Sequence, residues 1–209
     1  MQAPFDALLA ELAATIPDDR LSRDQLRRLA YGTDASFYRL IPALVVHVDS
    51  EAELLTVLDA CRRRNVAVTF RAAGTSLSGQ AVTDSVLIVL GHTWRTHDIL
   101  DGGEAIRLDP GVIGATANRL LAPYGRKIGP DPASIGACMV GGIAANNASG
   151  MCCGTSQNSY RTVRDLRVVF ADGAVLDTAD PDSVRAFRTS HAELLAELER
   201  LSRETRDNT

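Results

Sequence analysis

The chain has 209 residues, of which 45% are hydrophobic and 23% are charged. This composition is typical of an ordinary globular protein and excludes collagen, a coiled coil or a disordered chain as the main class. The formal net charge of −4 disfavours a nucleic-acid-binding module, because such modules usually carry a basic excess. The sequence has no apolar run long enough to span a bilayer and no basic stretch typical of a signal peptide near its start. We therefore expect a cytoplasmic protein without a transmembrane segment.

The four cysteines and four histidines give no sign of a metal site. No two cysteines have C-x-x-C spacing, and no two histidines have H-x-x-x-H spacing. Cys152 and Cys153 are direct neighbours, which is a poor spacing for one structural metal ion. We expect reduced thiols and no metal held by this chain alone.

Hydrophobic periodicity, capping patterns and turn residues predict mixed helices and strands. In the first half we expect helices over residues 3–16 and 50–64, a helix after a capping box at Ser22–Gln25, and strands over residues 44–48, 66–70 and 86–90. In the second half we expect a loop containing His92 and His97, a strand over residues 106–108, a helix over 113–124, a glycine-rich segment (residues 129–154), a hairpin over 166–176 and a charged helix from residue 182.

These elements predict an α+β fold with two α/β lobes and a cleft between them. The expected divisions are an N-terminal helical segment (residues 1–30), a first lobe (31–100) and a second lobe (101–209). The lobes join near residues 90–101.

The first candidate binding element is the segment Arg71–Gly79, which we call the phosphate loop. Gly74 and Gly79 permit backbone angles that aim successive N–H groups into one concavity, and such a nest binds anions. The hydroxyls of Thr75, Ser76 and Ser78 add donors, and Arg71 adds a charge. An ordinary connecting turn is the alternative. A Walker loop is excluded because Gln80 stands where its lysine must be, and the G-x-G-x-x-G fingerprint is absent.

The second candidate is the glycine-rich segment. Between residues 128 and 160 the only charged residue is Asp131, and residues 136–154 include five glycines. Small residues let the backbone approach a neighbour closely, so this segment suits a neutral wall for a large flat ligand. We expect Gly142 to lie in a turn, with a positive φ, against that ligand. Tight internal packing of the glycines is the alternative.

A phosphate nest and a separate neutral wall that face each other predict one long ligand, such as a dinucleotide with a large ring system. Four motifs in order then resemble the FAD-binding domain of the vanillyl-alcohol oxidase / p-cresol methylhydroxylase superfamily. They are Arg71–Gly79, Asp109–Val112, Pro130–Ser134 and Ala137–Gly142 with Asn146, Asn147 and Gly150. The sequence is most similar to the D-lactate dehydrogenase and glycolate oxidase subunit branch, in the form fused to an iron–sulfur half, because of residues 141–154.

The resemblance implies cofactor contacts for twenty residues. The phosphate loop would hold the pyrophosphate through Arg71, Ala72, Ala73, Gly74, Thr75, Ser76, Leu77, Ser78 and Gly79. The flavin and ribityl chain would be lined by Pro130, Asp131, Ser134, Gly141, Gly142, Ile143 and Ala144. The ribityl–adenosine portion would lie along Asn147, Gly150, Gly154 and Val168. Thr75 stands where some relatives attach the flavin through a histidine, so the FAD would be bound noncovalently.

The resemblance also implies the reaction. A small 2-hydroxy acid would be oxidised to the 2-keto acid, with hydride transfer to the flavin N5. The chain would be the N-terminal portion of a larger enzyme, with any iron–sulfur cluster beyond it and peripheral attachment at the inner membrane through the full-length enzyme. The electron acceptor and the catalytic base are not indicated. The alternatives are another enzyme of this fold, such as a peptidoglycan-precursor reductase, and a non-catalytic FAD-binding module.

Overall fold

The computed structural model describes residues 3–207, which form two compact units, one up to Val163 and one from Arg164 onward. The first unit contains α1 (Ala3–Leu12), β1 (Leu21–Ser22), α2 (Gln25–Ala30), β2 (Leu44–Val48), α3 (Glu51–Arg63), β3 (Val68–Arg71), β4 (Val86–Leu90), β5 (His97–Leu100), β6 (Ala105–Leu108), α4 (Gly114–Leu121), α5 (Val140–Ala145) and α6 (Ser159–Thr162). The second contains β7 (Arg167–Val169), β8 (Val175–Asp177), α7 (Pro181–Ser190) and α8 (Ala192–Asp207).

A four-stranded sheet with the order β1-β2-β4-β3 forms the centre of the first unit. Strands β2 and β3 both run parallel to β4, whereas the short β1 pairs antiparallel with β2. Leu44, Val46, Val86 and Ile88 are fully buried in β2 and β4. Buried parallel strands have continuous apolar sequences, which explains why both were predicted with their exact bounds.

The starts of α2 and α3 test the two predicted capping boxes. At α3 the Ser50 hydroxyl accepts a hydrogen bond from the Glu53 N–H at 3.2 Å, as expected of an N-cap. At α2 the prediction was wrong, because Ser22 pairs with Val45 in β1 and Asp24 caps the helix through the Arg27 N–H at 2.8 Å. The sheet therefore takes the residue that the sequence pattern assigned to the helix.

The segment between the sheet and α4 also differs from the prediction. His97 was expected in a loop, but residues 97–100 form β5, which pairs antiparallel with β6. Exposed His97 and Asp98 fill half of this short strand, so it lacks the apolar alternation that would have revealed it.

The second unit consists of the predicted β7–β8 hairpin followed by two helices. The His191 ring stacks on Phe187 with centroids 4.0 Å apart, and its Nε2 lies 2.9 Å from an Asp172 carboxylate oxygen at the hairpin turn. Across residues 3–207, no helix is both long and apolar enough to cross a membrane. The division into lobes at residues 31–100 and 101–209 stays a prediction.

Candidate cofactor-binding site

The phosphate loop begins where β3 ends, at the carboxyl edge of the parallel part of the sheet. Arg71 is the last residue of β3, and the chain reaches β4 again at Val86. Gly74 and Gly79 have φ of +67° and +69°, so both adopt the left-handed angles for which the sequence analysis proposed them. Ligands of open parallel sheets bind outside this same edge.

Hydrogen bonds inside the loop leave part of its backbone free. The Ser76 hydroxyl accepts from the Ser78 N–H at 3.1 Å and donates to the Gln80 side-chain oxygen at 3.0 Å. The Ser76 hydroxyl is thus engaged inside the loop, and its role as a ligand donor stays a prediction. In the described part of the chain, the N–H groups of residues 74–77 have no acceptor. Four consecutive N–H groups are therefore open to an anion.

Arg71 is packed beneath the loop. Its Nη1 donates to the Thr33 carbonyl at 2.7 Å, and its guanidinium lies over the Tyr31 ring with Cζ 5.5 Å from the centroid. A Cβ added at Gly74 would lie only 2.5 Å from the Arg71 Nη2. The guanidinium supplies positive charge near the loop, but its geometry is fixed by the protein.

The start of the glycine-rich wall is a helix and not the expected turn. The Val140 N–H donates to the Val112 carbonyl and the Gly141 N–H to the Pro110 carbonyl, each at 2.8 Å. These bonds fix the first turn of α5 against the Asp109–Val112 motif. The φ of Gly142 lies outside the left-handed region, so the predicted positive φ was wrong.

Within α5, Gly142 faces open space, whereas its neighbours are packed. Among the described residues, only the Ala72 Cβ would lie within 4 Å of a Cβ added at Gly142, at 3.8 Å. At Gly141 the same atom would meet the Pro110 Cβ at 2.7 Å, and Ile143 is buried at 4% exposure. The structure thus brings the phosphate loop and the wall together through Ala72 and Gly142.

Asp131 ties the Pro130–Ser134 turn to the end of the glycine-rich segment. Its carboxylate accepts a hydrogen bond from the Cys153 N–H at 3.1 Å. Hydrogen bonding by Cys153 lowers the pKa of Asp131 below its ordinary value. A Cβ at Gly150 would collide with the Asp131 carbonyl and carboxylate oxygens. The carboxylate is therefore an internal cross-link.

Hydrogen bonds within the protein also fix Asn147 and the residues around it. Asn147 has φ of +44°, and its side-chain oxygen accepts from the Tyr160 N–H at 3.0 Å. The buried Ser159 hydroxyl lies 3.0 Å from both the Ile143 and the Ala148 carbonyl oxygens. Gly154, with φ of +53°, is exposed and has open space where a Cβ would be.

The predicted site residues thus fall into three groups. The structure joins the loop residues 71–79 to α5 residues 141–144 through Ala72 and Gly142, and it joins the Pro130–Ser134 turn to residues 150–154 through Asp131. Val168 lies in β7 of the second unit. Ile143 is buried, its N–H donates to the Met139 carbonyl and its carbonyl accepts from the Ala148 N–H, so its contact with a ligand stays a prediction.

Sequence reasoning missed the residues that support the loop from below. Tyr31 and Tyr38 contact the phosphate loop, and Asp34 bonds Ala81, two residues after its end. The local signal was the Asp34-Ala35-Ser36 sequence, because an Asp two residues before a polar residue is typical of an Asx turn.

Comparison with known proteins gives one family and consistent relatives. The model of a family described as the FAD binding domain matches residues 42–179. The glycolate oxidase subunit GlcD of Escherichia coli K12 is 31% identical over 173 residues, which is 81% of this chain and 35% of that protein. D-2-hydroxyglutarate dehydrogenase of the same strain is 29% identical over 155 residues, covering 72% of this chain and 15% of that protein.

The chain therefore spans about a third or less of the length of these curated relatives. Among solved structures, alkyldihydroxyacetonephosphate synthase superposes with a TM-score of 0.69 at 20% identity, over 82% of this chain and 38% of that one. This likeness confirms the predicted α+β fold. With a family match over residues 42–179 and a loop and wall in contact, the chain belongs to the FAD-binding domain family.

Proposed function

We propose that the phosphate loop holds the pyrophosphate of FAD and that the exposed face of α5 lies beside the flavin and ribityl chain. The apposition of Ala72 and Gly142 carries this proposal, because it brings the loop, in which four N–H groups have no acceptor, to an exposed glycine on the face of α5. The phosphate loop suits the phosphates of such a ligand, and the exposed face of α5 suits its flat ring system.

The chain would bind this cofactor through neutral dipoles. The N–H groups of residues 74–77 donate to the phosphate oxygens, and the packed Arg71 guanidinium adds favourable charge without a direct phosphate contact. Thr75 has no ring nitrogen with which to form a bond to the flavin, so binding is noncovalent.

The remaining site residues would follow the length of the ligand. Pro130 and Ser134 lie beside the flavin, with Asp131 holding their turn in place. Asn147, Gly150 and Gly154 would line the ribityl–adenosine portion. Asn147 keeps its side-chain NH2 for the ligand, since its oxygen is bonded to the Tyr160 N–H.

We further propose that the whole protein oxidises a small 2-hydroxy acid to the 2-keto acid. The names of the two relatives, a glycolate oxidase subunit and a D-2-hydroxyglutarate dehydrogenase, support this substrate class. Bound FAD supplies the acceptor for a hydride from the substrate α-carbon. We propose that the segments of the relatives that this chain does not match bind the substrate and any iron–sulfur cluster and contact the electron acceptor.

His47 is not placed to be the base that takes the hydroxyl proton. His47 lies 2.8 Å from the Tyr31 hydroxyl inside the first unit, and burial lowers its pKa below the ordinary value. A base must reach the substrate hydroxyl directly or through one water. We therefore do not assign the base to His47.

The test is made on the full-length natural protein. Flavin absorbance per protein is measured after gel filtration, and glycolate, D-lactate and D-2-hydroxyglutarate are then added without oxygen. Loss of the oxidised flavin absorbance with a D-2-hydroxy acid, but not with L-lactate, is the expected result. Reduction by NADPH alone would instead indicate a peptidoglycan-precursor reductase, and bound FAD that no donor reduces would indicate a non-catalytic module.

A further inference from the structure

Residues 31–38, which we name the brace, form a closed segment beneath the phosphate loop. The brace follows α2, and a bridge between Thr33 and Arg39 and a hydrogen bond from the Leu40 N–H to the Gly32 carbonyl at 3.1 Å close it. It lies before residues 42–179, the range that the family model matches.

The brace holds the first half of the phosphate loop. The Thr33 carbonyl accepts from Arg71 Nη1 at 2.7 Å, and the Ala35 N–H donates to the Gly74 carbonyl at 2.9 Å. The guanidinium lies between the Tyr31 ring and the face of Gly74. The brace, about 40 residues earlier in the chain, thereby fixes Arg71 at the end of β3 and the left-handed Gly74.

The brace also holds the end of the loop. The Asp34 carboxylate accepts from the Ser36 N–H at 2.8 Å through one oxygen and from the Ala81 N–H at 3.3 Å through the other. The Tyr38 ring covers Gly79, where an added Cβ would lie 2.7 Å from the ring Cδ2. Both positive-φ glycines of the loop thus lie against side chains that the brace anchors or provides.

The electrostatics of Asp34 agree with this role. Burial raises its pKa, but the hydrogen bonds from Ser36 and Ala81 and the charge of Arg71 outweigh that effect, and the net pKa lies below the ordinary value. The carboxylate is therefore ionised at neutral pH, and both of its oxygens accept hydrogen bonds. An asparagine cannot reproduce this, because one of its two terminal atoms is a donor.

We infer that the brace is part of the cofactor-binding apparatus, in which Asp34 and Arg71 are positioning residues that preset the phosphate loop for the pyrophosphate. The inference rests on the proposed binding of FAD. A preset loop loses less conformational freedom when the ligand binds, so loosening the brace weakens binding without removing any group that touches the ligand.

The experiment compares FAD with riboflavin, which lacks the phosphates. In the full-length protein stripped of flavin, we expect Asp34→Asn to raise the Kd for FAD by up to about tenfold, the effect of roughly one hydrogen bond. The Kd for riboflavin stays within about twofold of the unsubstituted value, since the flavin wall is untouched. Asp24→Asn is the matched control: it removes the same charge ten residues earlier in the chain, where the carboxylate caps α2 through the Arg27 N–H.

A second pair of variants separates positioning from direct charge. Arg71→Lys keeps the charge but loses the planar group that reaches Thr33 and covers Gly74, whereas Arg71→Gln loses both. We expect both to weaken FAD, and Arg71→Gln to weaken it more than Arg71→Lys because it also loses the charge. Full FAD affinity in Arg71→Lys would identify Arg71 as a phosphate ligand and overturn its positioning role.

The outcomes separate this inference from the proposed function. If the unsubstituted protein binds FAD but Asp34→Asn binds it equally well, or loses FAD and riboflavin alike, the brace is only structural and the inference fails. If the unsubstituted protein binds no FAD, the proposed function fails and the inference fails with it. Thermal unfolding of each variant shows whether the fold is retained.

Discussion

The phosphate loop and the glycine-rich segment contain the same residue type for different physical reasons. In the loop, Gly74 and Gly79 have positive φ, which L side chains rarely adopt. In α5, Gly141 and Gly142 lie in a helix without positive φ, and only at Gly141 does a protein neighbour, Pro110, exclude a side chain. The loop needs glycine to turn its N–H groups, whereas the wall needs glycine to admit a neighbour.

The two wall glycines differ again in which neighbour they admit. Gly141 admits Pro110, a part of the protein, and Gly142 faces space in which the protein places only the Ala72 Cβ within 4 Å among the residues described. A substitution at Gly141 therefore tests folding, and one at Gly142 tests the ligand. This adjacent pair gives the sharpest experiments on the site.

The largest effect is expected for Gly142→Val in the full-length protein. A Cβ at this position meets only an ordinary contact with Ala72, and the rest of the new side chain would occupy the space proposed for the flavin. Overpacking of about 3 kcal/mol corresponds to more than a hundredfold loss of FAD affinity. Flavin absorbance per protein after gel filtration measures the loss, and circular dichroism checks the fold.

Gly136→Val is the matched control for this substitution. Gly136 is also exposed, has no positive φ and has open space around a Cβ, but it lies outside the proposed contacts. It should retain flavin. Normal flavin content in Gly142→Val would show that α5 does not face the cofactor, and the glycines would then serve packing alone.

The second effect concerns stability and contrasts Gly141→Ala with Gly142→Ala. An Ala at position 141 forces its Cβ against Pro110, so we expect the free energy of unfolding of the flavin-free protein to fall by about 1–3 kcal/mol. At position 142 the same change replaces a helical glycine with a better helix former. We expect it to raise the free energy of unfolding by up to about 1 kcal/mol. Denaturant unfolding measures both, and equal losses would contradict the distinction.

A smaller effect concerns the cross-link through Asp131. Its folded-state pKa is lowered, so its stabilising contribution is complete above the ordinary value of 3.8 and is lost as the pH falls through the lower folded-state value. We expect Asp131→Asn to unfold at a lower temperature than the unsubstituted protein at neutral pH, and the difference to shrink below about pH 4. Melting curves across this range test it, and a difference independent of pH would show that the carboxylate charge is not involved.

The sequence was informative where one local rule determines the structure. Strands β2 and β4 were predicted with their exact bounds because buried parallel strands form uninterrupted apolar runs. The bend of the phosphate loop was predicted because Gly74 and Gly79 are residues that readily adopt positive φ. The α5 helix was not, because Val140–Ala145 has two glycines and its first turn is fixed by distant carbonyls at Pro110 and Val112.

The brace was missed for a related reason. Its contacts join Thr33, Asp34 and Ala35 to a loop about 40 residues later, and no periodicity or spacing encodes such a pairing. The Asx turn at Asp34 was visible in the sequence, but the second oxygen of that carboxylate, which bonds the Ala81 N–H, was not. Local chemistry was thus predictable, and the partner of each group depended on the tertiary fold.

The smallest effect is expected for Thr75→Ala, which sharpens the difference between backbone and side-chain donors in the loop. In the described chain the Thr75 hydroxyl has no protein partner, so its removal leaves the loop's own hydrogen bonds intact. If it bonds a phosphate, one neutral hydrogen bond of about 0.5–1.5 kcal/mol is lost, which is at most roughly a tenfold rise in the Kd for FAD. Titration of the flavin-free protein, with riboflavin as the phosphate-free comparison, measures this rise. A loss as large as that of Gly142→Val would mean that the hydroxyl, and not the four backbone N–H groups, carries the pyrophosphate.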